Sequence, residues 1–78
     1  MTNVGAADLL NEIADLLDIS GADMFRVRSY RRAAESLSSW AEEIEDILQK
    51  DGLKGLQVIP GIGKSLAGKL EELLSTGQ

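Results

Sequence analysis

The sequence predicts an all-α domain, a compact bundle of four helices with room for one further helical turn. Three observations carry that expectation. Apolar residues recur at helical spacing in four separate stretches, glycine or proline punctuates the chain between them, and nothing alternates with period two over a useful length. At 78 residues there is room for one core, so residues 1–78 are expected to form a single domain. With 44% hydrophobic and 27% charged residues the composition is that of a globular chain and argues against disorder.

The first helix is expected from Ala6 to Leu17. Leu9, Leu10, Ile13, Leu16 and Leu17 form its apolar stripe, and Asp8 is placed near the positive end of its dipole. Ser20-Gly21 supplies the stop, because glycine accepts the left-handed conformation common just past a helix end. The second helix opens on Asp23 as N-cap and runs to about Ser38. Its stripe is Met24, Val27, Tyr30, Ala34 and Leu37, with Arg28, Arg32 and Glu35 more exposed; Phe25 and Trp40 are expected to be core or cap residues. A short third helix covers Glu42–Lys50, turns Ile44, Ile47 and Leu48 inward, and breaks at Asp51-Gly52. Leu53–Val58 has length for a turn or two. Proline disfavours the helical region in the residue before it, so the chain must turn at Ile59-Pro60. The last helix runs from about Lys64 to Ser75, with Leu66, Leu70, Leu73 and Leu74 on one face, and Thr76-Gly77 ends it.

Residue types exclude several chemistries. Cysteine and histidine are both absent, which removes disulfides, thiol nucleophiles, the usual zinc ligands and imidazole acid–base catalysis. The N-terminus shows no basic segment followed by an apolar run, and no apolar stretch approaches the roughly 20 residues of a membrane span. A cytoplasmic location (for a bacterial chain the cytosol or nucleoid) and no membrane partner are therefore expected.

The net charge of −5 argues at first against a polyanionic partner, but its distribution matters more. The first 23 residues hold Asp8, Glu12, Asp15, Asp18 and Asp23 and no base. Arg26, Arg28, Arg31 and Arg32 then follow within seven positions that contain no acid. Glu42–Asp51 is acidic again, and Gly52–Leu70 carries Lys54, Lys64 and Lys69 without an acid. One such block would be an ordinary solvated surface. Two blocks free of acid, one of them containing a glycine-bracketed turn, point to an anion-facing side.

That turn is Ile59-Pro60-Gly61-Ile62-Gly63. Glycines at 61 and 63 permit unusual dihedrals and clear side chains from the backbone amides, while Ile62 between them can plug into the core. The following helix begins with unpaired N–H groups at the positive end of its dipole, a site that suits a phosphate oxygen. Lys64 adds a charge-assisted contact. Such a contact reads backbone and not base edges, so binding is expected to be independent of sequence.

With apolar Leu56 and Ile59 before it, and Ala67 and Leu70 in helical register after it, this stretch resembles the helix–hairpin–helix DNA-binding motif, over about residues 53–75. The likeness extends along the chain. Phe25-Arg26-Val27-Arg28-Ser29-Tyr30-Arg31-Arg32-Ala33-Ala34, the hairpin, then Ala67-Gly68-Lys69-Leu70 and Leu74-Ser75-Thr76-Gly77 together resemble the N-terminal domain of the family X DNA polymerases, of the DNA polymerase beta type and its bacterial members in particular. The resemblance implies a small helical bundle that binds the 5′-phosphate side of gapped or nicked DNA, as in base-excision repair or gap-filling synthesis. It assigns phosphate binding to Arg26, with Tyr30 nearby; the residues themselves add Gly61, Gly63, Lys64 and Ser65 at the hairpin, and Arg31 of the basic block (DNA contact or plain surface charge), as candidates for DNA contact. In some members a lysine also removes 5′-deoxyribose phosphate through a Schiff base, and the matching residue is Lys69. No cofactor is required, although hairpin carbonyls hold Na+ or K+ in some members; these would be the carbonyls of Gln57, Ile59 and Ile62. The animal enzyme has a histidine where Phe25 stands, a lysine at Ser65 and an acid at Gly68.

Three function classes follow. The first is a non-catalytic module for gapped, nicked or single-stranded DNA ends. The second is deoxyribose-phosphate lyase: a Schiff base needs a neutral amine, and Lys69 flanks the apolar stripe, with Glu72 placed to pair with it. The third is a protein-interaction module using the acidic faces around Glu12–Asp18 and Glu42–Asp46. No polymerase activity is expected of these residues, the rest of a polymerase is a candidate partner, and the default state is a monomer.

Overall fold

The computed structural model describes residues 2–76 and folds them into four helices: α1 (Asn3–Ile19), α2 (Met24–Ser39), α3 (Ile44–Leu56) and α4 (Lys64–Thr76). No strand occurs among the described residues. The expected stop at Gly77 lies outside them.

α1 starts earlier than its apolar pattern suggested, because Thr2 caps it: the Thr2 hydroxyl accepts the Gly5 amide at 3.0 Å. Asp8 consequently sits beyond the first turn, where the helix dipole has little hold on it, and that part of the expectation is corrected. The far end closes as foreseen at Ser20-Gly21. Gly21 takes φ 80°, the Ala22 amide donates to the Leu17 carbonyl at 2.9 Å and the Gly21 amide to the Asp18 carbonyl at 3.1 Å, which is a Schellman motif. Asp23 caps α2, its carboxylate accepting the Phe25 amide at 3.0 Å.

α3 is helical on both sides of a kink at Gly52, whose φ 69° and ψ −156° no helix accommodates. The glycine thus breaks the helix as the sequence indicated, and Leu53–Leu56 is the extra turn.

α1 packs mainly on α2, and α3 on α4. The buried side of α1 is Ala6, Ala7, Leu10 and Ala14, rotated away from the leucine-rich stripe. Leu10 is fully buried, Leu9, Ile13 and Leu17 are half-buried, and Leu16 is 67% exposed, contrary to expectation. The reason is steric. Ala6 and Ala7 on α1 share the core with Ala33 and Ala34 on α2, and small residues let two helices approach closely, so the seam selects the smallest side and not the bulkiest. On α2 the stripe holds for Val27, Ala34 and Leu37, with Tyr30 half-buried, but Met24 is 50% exposed in the first turn. Leu56, Ile59, Ile62, Leu66 and Leu70 carry the core across the hairpin into α4, so Ile62 does plug inward.

One buried polar side chain ties the bundle together. Asn3 Nδ2 donates to the Glu42 carbonyl at 2.7 Å and to the Trp40 carbonyl at 3.4 Å, while Asn3 Oδ1 accepts the Ile44 amide at 2.8 Å. A residue of α1 thereby holds the α2–α3 connection and caps α3, since Glu43 makes no side-chain cap bond of its own.

Candidate DNA-backbone interface

The hairpin between α3 and α4 is fixed from below by Ile59 and Ile62, both buried, and closed by the Ile62 amide donating to the Ile59 carbonyl at 3.0 Å. Between them Gly61 takes φ 87°, a conformation open to glycine and costly for other residues. The turn also lies against α2: a Cβ on Gly61 would come within 3.2 Å of Arg32 Cγ and 3.3 Å of the Ala33 amide nitrogen. Gly63 differs. Its φ is not positive and a Cβ there would meet nothing within 4 Å. Of the two glycines that permit unusual dihedrals, only Gly61 uses one.

Docking the hairpin on α2 brings two helix starts together around a cleft of about 540 Å³. The α2 side contributes Asp23, Phe25, Arg26, Ser29 and Tyr30; the hairpin and α4 contribute Gly61, Gly63, Lys64, Ser65 and Leu66. Six residues singled out in the sequence (Arg26, Tyr30, Gly61, Gly63, Lys64 and Ser65) thus meet in one place.

The start of α4 is also unlike the other three. Thr2 caps α1, Asp23 caps α2, and Asn3 accepts from the first amide of α3. Before α4 stands Gly63, which has no side chain to offer; its carbonyl accepts the Ala67 amide at 2.9 Å, and no side chain among the described residues accepts from the amides of Lys64, Ser65 or Leu66. These N–H groups sit at the positive end of a helix dipole beside two cationic side chains. A phosphate oxygen satisfies all three conditions.

The remaining candidates fall elsewhere. Arg31 does not line the cleft; its guanidinium donates to Asp15 of α1 at 2.8 Å, across the exposed side of the α1–α2 pair. Lys69 is half-buried one helical turn beyond Ser65 and outside the cleft lining, and it makes no ion pair with Glu72 among the described residues. Of the hairpin carbonyls, that of Ile59 accepts one hydrogen bond, while those of Gln57 and Ile62 accept none among the described residues.

Phe25 is the clearest correction. It is 76% exposed and lines the cleft, so it is neither core nor cap. Asp23 fixes α2 to begin at Met24, and the direction of Phe25 follows from that start. Tyr30 packs against the core and also lines the cleft. Trp40 also packs on the core.

A cleft walled by glycine, guanidinium, ammonium and open helix amides suits an anion. This chain belongs to the helix-hairpin-helix domain family, whose model matches residues 1–78. Membership carries with it DNA binding of the kind that does not depend on sequence. No helix among the described residues is long and apolar enough to cross a membrane.

Proposed function

We propose that the domain binds the 5′-phosphate and adjoining backbone of gapped or nicked DNA. The observation that carries the reading is the uncapped start of α4 sharing one cleft with Arg26. In this reading the phosphate accepts from the amides of α4, Arg26 and Lys64 neutralise it, and the Ser65 hydroxyl donates a further bond. Phe25, exposed at the same cleft, offers a face for an adjacent base. The finer resemblance to the N-terminal domain of family X polymerases draws support from Arg26, to which that likeness assigns phosphate, lining the cleft with Tyr30.

The test is binding to a gapped duplex with and without a 5′-phosphate at the gap. Tighter binding with phosphate, lost in Arg26→Gln and Lys64→Gln, is expected. Equal affinity for the two duplexes would remove the 5′-phosphate from the proposal.

The position of Lys69 favours one second reading. It follows Ser65 by four residues and so shares its helix face, one turn behind the cleft. A deoxyribose phosphate held at α4 would place its sugar aldehyde on that side, where the lysine amine can add to the carbonyl and lose water to form a Schiff base. Borohydride reduction of a mixture with such DNA would leave a covalent adduct that vanishes in Lys69→Ala.

A further inference from the structure

The four arginines of α2 are not equivalent. Arg31 is held by Asp15 on α1, whereas Arg26, Arg28 and Arg32 enter no ion pair among the described residues. Arg26 lines the cleft. Phe25, Arg28 and Arg32 are exposed and spaced three and four residues apart, so they form one outward stripe along α2. Its first member lines the cleft, and the Cγ of its last lies 3.2 Å from where a Cβ on Gly61 would stand, so that stem runs close to the hairpin. The stripe therefore begins at the cleft and runs beside the hairpin.

We infer that Arg28 and Arg32 form a second backbone-binding track, which carries the DNA strand onward from the terminal phosphate along the outside of α2. The inference rests on the proposed phosphate site and goes beyond it by assigning a direction and a length to the bound strand. From Phe25 to Arg32 the helix rises about 10 Å, which lets the two arginines meet neighbouring phosphates of one strand. The Arg32 stem runs close beside Gly61, and the side chain ends in a guanidinium. Its planar fork of donors suits phosphate oxygens. Arg31, turned to α1, takes no part.

The experiment compares 5′-phosphorylated oligothymidylates of two and of about eight nucleotides, binding to the wild-type chain, to Arg26→Gln and to the double variant Arg28→Gln/Arg32→Met. Methionine retains an unbranched stem against Gly61, and circular dichroism checks that the variants are folded. The wild-type chain should bind the longer strand more tightly. The double variant should lose about tenfold for the longer strand and little for the dinucleotide, with the salt-dependence slope reduced by about 1.4 for two single-strand contacts. Arg26→Gln should weaken both lengths. If the double variant binds both lengths as the wild type does, with the same salt slope, while Arg26→Gln is impaired, the track is refuted and the phosphate site stands. If the wild-type chain binds neither probe, both readings fall together.

Discussion

Gly61 and Gly63 lie two residues apart in one turn, and their substitution by alanine should separate folding from binding. At Gly61 an alanine must hold φ 87°, at a cost of about 1–2 kcal/mol for an L-residue in the left-handed region. Its Cβ would also press on Arg32 Cγ at 3.2 Å and on the Ala33 nitrogen at 3.3 Å, and the second of these is backbone that cannot swing aside. Together the two effects amount to about 2–3 kcal/mol, a large part of the stability of so small a domain. At ~4–8 °C per kcal/mol for a domain of this size, Tm should fall by roughly 10–20 °C. At Gly63 neither effect applies, since its φ is not positive and a Cβ there meets nothing within 4 Å. The residual cost is that of alanine in place of glycine before a helix, about 1 kcal/mol or less. Yet that methyl would stand in the cleft beside the amides of α4, where a phosphate oxygen must approach to hydrogen-bond distance. Losing one such bond to a charged group is worth about 1.5–3 kcal/mol, or at least about tenfold in affinity.

Thermal melts followed by circular dichroism, paired with fluorescence anisotropy on a phosphorylated gapped duplex well below the melting transition, read the two quantities separately. Gly61→Ala should melt early but bind within about threefold of wild type while folded. Gly63→Ala should melt close to wild type and bind poorly. Wild-type affinity in Gly63→Ala would refute the assignment of the α4 amides to the ligand. A large Tm loss in Gly63→Ala would instead show that the turn needs glycine at both positions.

Other substitutions test neighbouring parts of the structure. Asn3→Ala removes three hydrogen bonds and leaves the buried Ile44 amide without its acceptor, so unfolding free energy measured in urea should drop by about 2 kcal/mol with DNA affinity intact. Phe25→Ala should leave Tm within a few degrees, because the side chain is exposed, while weakening single-stranded DNA by about 1 kcal/mol if a base stacks there; a large loss of stability would return Phe25 to the core. Asp15→Asn breaks an exposed ion pair and should change stability by no more than ~1 kcal/mol in a urea titration.

Much of the fold was legible because local signals and packing agree. Ser20-Gly21, Asp23, Gly52 and Ile59-Pro60 each mark a boundary by a backbone preference that tertiary structure does not override. The face of α1 was misjudged because hydrophobic periodicity weighs side-chain size, whereas the α1–α2 seam rewards close approach; Ala6, Ala7 and Ala14 score weakly in any apolar stripe yet lie at its centre. Asn3 was invisible for another reason. Its partners are 37–41 residues away, and an asparagine near the start of a chain carries no signal of burial. At the site, the cluster of Arg26, Lys64 and the glycines could be read, since the turn and the acid-free blocks are local patterns. What could not be read was how α2's arginines divide. Arg31 and Arg32 are adjacent in sequence, and only the positions of α1 and the hairpin send one to Asp15 and the other to Gly61.

That division bears on how a chain of net charge −5 can hold a polyanion. Beyond about 8–10 Å physiological salt screens the field of exposed charges, so the net charge mainly slows approach and does not decide the contact. Within that distance the cationic groups gathered at the cleft and along α2 act on a bound phosphate, opposed by the one carboxylate in the cleft lining, Asp23. The nearest acid in the cleft, Asp23, accepts the Phe25 amide as the cap of α2. The other acids of the first 23 residues lie on α1, and a further group gathers around the start of α3. Duplex presented to either acidic region meets like charge, so in the proposed reading productive contact falls to the face shared by α2, the hairpin and α4. Neutralising Asp8, Glu12 and Asp18 should accordingly raise the association rate at low salt and leave the dissociation rate nearly unchanged, because those groups touch no bound phosphate. Stopped-flow binding at two ionic strengths distinguishes the cases. A slower or faster dissociation in the neutralised variant would mean that α1 contacts DNA, and the separation of an acidic side from a binding side would have to be abandoned.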